Sequence, residues 1–139
     1  MSKMTRFHTR SDSENGYIVK LLDPITGEDT GEWIKIRGMD SDQFKIADAR
    51  GRRELLQMVQ NKPQYDQEEY DRLVIKIERK CVAALIMEWS FEEEVSSENT
   101  YEFLKAAPQI CDTLNYEAAK RSNFSTRTSE NSTDGQNQK

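Results

Sequence analysis

The stretch from Gln67 to Glu88 constrains the fold more than any other part of the chain. Tyr70, Leu73, Val74, Ile77, Cys81, Ala84 and Leu85 recur at spacings of three and four, the stripe of an amphipathic helix. A second stripe, Ile75, Val82 and Ile86, follows at i, i+7 and i+11, roughly 100–160° around the helical wheel from the first. The C-terminal half of this expected helix is therefore apolar nearly all round. Such a helix is either central, covered on every side by its own chain, or half covered and completed by a partner. The central position is the plainer outcome of the two.

What lies before it supplies the first covering layer. Tyr17-Ile18-Val19-Lys20-Leu21-Leu22 is rich in strand formers, and in Trp33-Ile34-Lys35-Ile36-Arg37 two isoleucines alternate with cations. Between them, Asp23-Pro24-Ile25-Thr26-Gly27 offers a proline with preset φ and a glycine able to take positive φ, with Gly31 as a second flexible point. The pattern is a β-hairpin with a long loop. A lone hairpin is marginal in water, so its apolar face must pack on the helices.

Everything after Gly38 reads as helix. Asp40, with Gln43 three residues on, is a cap signal, and Phe44, Ala47, Gly51, Leu55, Met58 and Val59 then line one face. Gly51 costs about 1 kcal/mol relative to alanine in a helix interior. A close helix contact or a kink would account for it. Pro63 ends the segment, and Asp66 with Glu69 starts the next helix. After Trp89-Ser90-Phe91, Ser96 or Ser97 caps a short helix through Tyr101, Phe103 and Leu104. Pro108 marks a break or the first position of a last helix carrying Ile110, Cys111, Leu114 and Ala118, with Phe124 beyond it. The expected fold is mainly α, of the α+β class: an N-terminal β-hairpin followed by four or so helices in one domain over residues 16–124. Residues 1–15 read as a flexible arm and 125–139 as a flexible tail, because both are polar and lack apolar periodicity.

Charge and composition remove several function classes. The chain has 139 residues, 20 Lys plus Arg, 25 Asp plus Glu, and a net charge of −5, which opposes broad nucleic-acid binding. Arg50, Arg52 and Arg53 could serve a DNA-binding regulator, but three arginines in four positions cannot all face one groove. The longest apolar run, Cys81 to Met87, is far below the ~18 residues of a membrane span. No signal-peptide core opens the chain, so the protein is expected to stay where it is made. Cys81 and Cys111 lie in apolar helical segments and read as structural thiols. The single histidine, His8, sits in a polar stretch, so no metal centre is expected. No GxxxxGK[ST] or GxGxxG loop and no nucleophile–histidine pair occurs, so no catalytic residue and no cofactor is expected. Charge is also uneven. Glu88 to Glu102 holds six glutamates and no cation, whereas Gln43 to Lys62 holds five basic against two acidic residues. Such asymmetry either orients copies of the chain or a partner, or marks two solvated surfaces.

The hairpin with Asp23-Pro24-Ile25-Thr26-Gly27-Glu28 leads to Trp33-Ile34-Lys35-Ile36 and the Asp40-led helix ending in Arg52-Arg53. Glu88-Trp89, Ser97-Glu98-Asn99, Phe103-Leu104-Lys105-Ala106-Ala107-Pro108-Gln109-Ile110 and Arg121-Ser122-Asn123-Phe124 follow. This order of elements, over residues 16–124, resembles the tail assembly chaperones of long-tailed (siphovirus-type) bacteriophages. The resemblance implies a non-enzymatic protein of the bacterial host cytoplasm, absent from the finished virion. It would bind the hydrophobic tape measure protein and help recruit tail tube protein around it. Many members of that family are made in two lengths by ribosomal frameshifting, and the 125–139 tail would tolerate a join to such an extension.

A chaperone of an apolar helical client needs an apolar surface that is shielded when empty. The second stripe, Ile75, Val82 and Ile86, together with Met87, is the candidate surface, with Arg52 and Arg53 as flanking contacts. Methionine adapts to varied partners. Self-association into a homo-oligomer through that surface would shield it. A structural head–tail joining protein retained in the virion is the alternative, and composition does not separate the two.

Overall fold

A computed structural model describes residues 3–61 and 64–125. Three antiparallel strands, β1 (Tyr17–Leu22), β2 (Asp29–Ile36) and β3 (Ile86–Trp89), form a sheet in the order β1-β2-β3. Five helices accompany it: the single turn α1 (Thr9–Asp12), α2 (Asp42–Asn61), α3 (Gln67–Ala83), α4 (Ser97–Ala106) and α5 (Pro108–Ala118). The chain is a single α+β domain with the hairpin first, as the pattern of elements implied.

The hairpin follows its sequence closely. Val19 pairs with Ile34 and Tyr17 with Ile36, so Val19, Leu21, Ile34 and Ile36 enter the core while Ile18 and Leu22 stay outside. The connecting loop is tightly held. Asp23 Oδ1 accepts from the amides of Ile25 (2.8 Å) and Thr26 (2.9 Å), and Gly27 donates its N–H to Asp23 O with φ +77°. These amides hold the Asp23 carboxyl below its ordinary pKa.

The expected helix from Gln67 to Glu88 is corrected at its C-terminal end. Helix α3 stops at Ala83, and Ile86–Trp89 leaves it to form the third strand, so the chain after Gly38 is not all helix. Ile86 pairs with Ile36, Glu88 with Lys35 and Trp89 with Ile34, with Met87 left over as a bulge. The open edge of β2 supplies backbone partners that a longer helix would forgo. A seven-residue apolar run fits a buried strand as well as a buried helix by periodicity, and here the sheet edge decides. Trp89 then meets Phe91 (5.4 Å between ring centroids) and Phe103 (5.8 Å) in edge-on contacts that pin α4 against the sheet.

Two further expectations are revised. Asp40 does not cap α2. Fully buried Ser41 does, through its Oγ toward Phe44 N at 3.4 Å, while Asp40 takes a two-pronged ion pair from Arg121 (Nε–Oδ2 2.5 Å, Nη2–Oδ1 2.9 Å). That guanidinium holds the Asp40 carboxyl below its usual range. The N-terminal segment, expected to be an arm without structure, contains a 3₁₀ turn over Lys3–Phe7 and the α1 turn. It docks because Ser13 is buried and its carbonyl accepts from Gly38 N at 2.9 Å, while Asn15 Nδ2 donates to Phe124 O at 2.7 Å. Phe124, 3% exposed, packs edge-on against Tyr17. Both ends of the folded body thus meet on one side. Pro63, the expected end of α2, and residues 126–139 of the expected tail lie outside the described residues.

The remaining signals are realised. Asp66 caps α3, Ser96 caps α4 through Asn99 N (3.0 Å), and Pro108 opens α5. Gly51 is a close helix contact, because a methyl built there would overlap Ile77 Cγ2 of α3. Leu85, Leu104 and Leu114 are fully enclosed at the centre of the core.

Candidate functional site

The second apolar stripe does not form one accessible surface. Ile86 is 4% exposed because it points into the sheet core, and Val82 is 4% exposed within the same cluster. Ile75 is 51% exposed on α3, about two turns before Val82, and Met87 is half-buried beside Gly16. The stripe fails as a continuous face because its last member belongs to a strand, where helical spacing no longer applies. Arg52 and Arg53 are exposed on α2. Arg52 pairs with Asp48 at 3.4 Å, and the structure does not bring either arginine to Ile75, Val82, Ile86 and Met87 as one site.

A different feature is concave. An open cleft of about 690 Å³ runs between α2 and α3 on one side and the start of α4 on the other. Its floor is made of small and apolar residues: Ala47 and Gly51 from α2, Ile77 and Ala83 from α3, then Ala84, Ile86 and Val95. Four of the seven, Ala47, Gly51, Ala83 and Ala84, are small. Ala47 and Gly51 stand one turn apart, and the absent Cβ at Gly51 lets α2 approach α3 at Ile77.

The walls differ in charge. Arg50 comes from α2, and Lys76 and Lys80 from α3, with Lys80 Nζ 3.7 Å from Glu54 Oε1. Glu98 and Glu102 of α4 face them. At the inner end, Arg37 Nη1 donates to Ala84 O at 2.8 Å, capping the carbonyl end of α3. Its Nε faces Glu14 Oε1 at 3.5 Å, an ion pair too long to count as a hydrogen bond. This guanidinium ties β2, the α3–β3 turn and the N-terminal segment together.

The arrangement is an open cleft with an apolar floor and charged walls. Among the described residues no group of three or more His, Cys, Asp or Glu side chains could hold a metal ion, and no helix is long and apolar enough to cross a membrane. Both cysteines are free, and burial pushes each thiol above its ordinary pKa. Sequence reasoning missed Arg37, Ala84 and Val95 as site residues. The signal available for the floor was the run of small residues, Ala47, Gly51, Ala83 and Ala84, on two adjacent helices. No family model, curated protein or solved structure matches the chain.

Proposed function

We propose that the chain is a tail assembly chaperone of a long-tailed bacteriophage. It acts without catalysis in the host cell cytoplasm, binding the tape measure protein and helping to recruit tail tube protein around it. The observation that carries this reading is the cleft. An amphipathic helix docks by setting anchors at i, i+3, i+4 and i+7 into an apolar groove, and the floor from Ala47 to Val95 offers such a groove with charged walls. The order of sequence elements that resembles the family is the second support.

Coexpression tests it. The tape measure protein should be soluble beside the wild-type chain and insoluble alone. Solubility should fall with Ala84→Glu, which puts a carboxylate on the cleft floor, and with Lys76→Glu, which alters only an exposed wall residue. Equal solubility with and without the chain would refute the reading. Mass spectrometry of purified particles separates the head–tail joining alternative, since a chaperone is absent from them and a connector is present.

A further inference from the structure

The cleft carries charge of both signs, on opposite sides. Arg50 of α2 and Lys76 of α3 stand on one wall, and Glu98 and Glu102, one turn apart on α4, stand on the other. All four are exposed. Lys80 is taken up by Glu54 at 3.7 Å within the first wall, which leaves the sign of that wall to Arg50 and Lys76. Among the described residues none of the four makes an ion pair, and none reaches across the cleft to its opposite. Between the two pairs lies the apolar floor.

An occupant that answers all of this must show three different faces at once: apolar below, acidic toward α2 and α3, basic toward α4. An extended strand cannot, because its side chains point alternately to two opposite faces. A helix can, because the residues beside its apolar stripe project to either flank, as the e and g positions of a coiled coil do. The part of α3 that lines the cleft, Lys76 to Ala83, is about 10 Å long at about 1.5 Å per residue, room for about two turns of such a helix.

We propose that the cleft takes an amphipathic helix of one charge order: an apolar stripe on the floor, acidic residues facing Arg50 and Lys76, and basic residues facing Glu98 and Glu102. The proposal rests on the reading of the cleft as the client site and names the chemistry of the segment it selects. Turning a helix end for end in a groove exchanges its flanks. The two signs therefore fix the direction in which the client chain runs as well as its charge pattern. A uniformly acidic or uniformly basic segment meets repulsion on one wall and is rejected.

Calorimetry with stapled helical peptides of about three turns tests this, stapling removing the cost of helix nucleation. The peptides share one apolar stripe and differ in their flanks: glutamate on one and lysine on the other, lysine on both, or glutamate on both. The split-flank peptide should bind the full chain about tenfold more tightly than either of the others, and added salt should narrow the gap. Arg50→Glu with Lys76→Glu, at exposed positions, makes both walls acidic and should transfer the preference to the all-lysine peptide, a gain that also shows the variant to be folded. A spin label on the N-terminus of the split-flank peptide should broaden amides at one end of the cleft, near Lys76 or near Ala84. Exchanging the two flanks should move the broadening to the other end. Equal affinity for the three peptides overturns the proposal. So does a preference that the wall changes leave in place, or a cleft that admits no peptide because a second copy fills it. A chain that solubilises the tape measure protein yet binds the three peptides alike keeps the client reading and loses the charge order.

Discussion

Gly51→Ala is the sharpest probe of how the cleft is built. Alanine in a helix interior is favoured over glycine by about 1 kcal/mol, so on propensity alone the change stabilises α2. The structure reverses the sign. The new methyl would overlap Ile77 Cγ2, and a β-branched side chain in a helix has one strongly preferred χ1, so Ile77 cannot swing aside cheaply. Overpacking of this kind costs about 1–3 kcal/mol, which leaves a net loss of up to about 2 kcal/mol. Ile77→Ala removes the obstructing atom and by itself costs about 2–4 kcal/mol, Ile77 being buried. In that background Gly51→Ala should become stabilising by about 1 kcal/mol. Urea denaturation of the four proteins of the cycle measures both signs, at constant m-value. If Gly51→Ala stabilises the wild-type chain as much as it stabilises Ile77→Ala, the close approach of α2 to α3 is refuted, and with it the origin of the cleft floor.

Other substitutions test separate parts of the account. Ile86→Glu should cost more than about 4 kcal/mol by burying an unpaired charge in the sheet, whereas Ile75→Glu should change stability by less than about 0.5 kcal/mol; equal effects in thermal melts would contradict β3. Arg121→Ala should cost about 0.5–1 kcal/mol at neutral pH, discounted because the arginine is largely exposed. The Asp40 pKa is depressed in the folded state, so the pair contributes fully above the ordinary carboxylate pKa and its contribution is lost as pH falls through the lower folded value. The Arg121→Ala deficit should therefore shrink in acid, and a deficit independent of pH would refute the pairing. Native Cys81, buried and with its pKa raised, should react with a thiol reagent far more slowly than in the denatured chain, and more slowly than half-buried Cys111; identical rates would contradict its burial.

Local chemistry was the legible part of this fold. Alternation of Ile34 and Ile36 against Lys35, the Asp23-to-Gly27 loop, Ser96 ahead of Asn99, and Pro108 at a helix start each act over a few residues, and each is found where its chemistry points. Gly51 was legible as a choice between contact and kink, and Ile77 decides for contact. Features that depend on distant partners were not legible. Ile86–Trp89 becomes a strand only because β2 offers an open edge, and Asp40 gives up capping because Arg121, remote in sequence, reaches it. The candidate site suffered most from this. The stripe of Ile75, Val82 and Ile86 extended helical geometry past the end of the helix, while the cleft is defined by what Ala47, Gly51 and Ala84 lack, and missing volume leaves little trace in an apolar pattern.

Hydrogen exchange along the chain, alone and with a soluble helical segment of the tape measure protein, addresses the central claim most directly. Docking in the cleft predicts added protection confined to residues 47–54, 76–84 and 95–102, with β1 and the distal end of α2 unchanged. Binding that leaves those three segments unprotected, or that protects the outer sheet face around Ile18 and Leu22 instead, would contradict it.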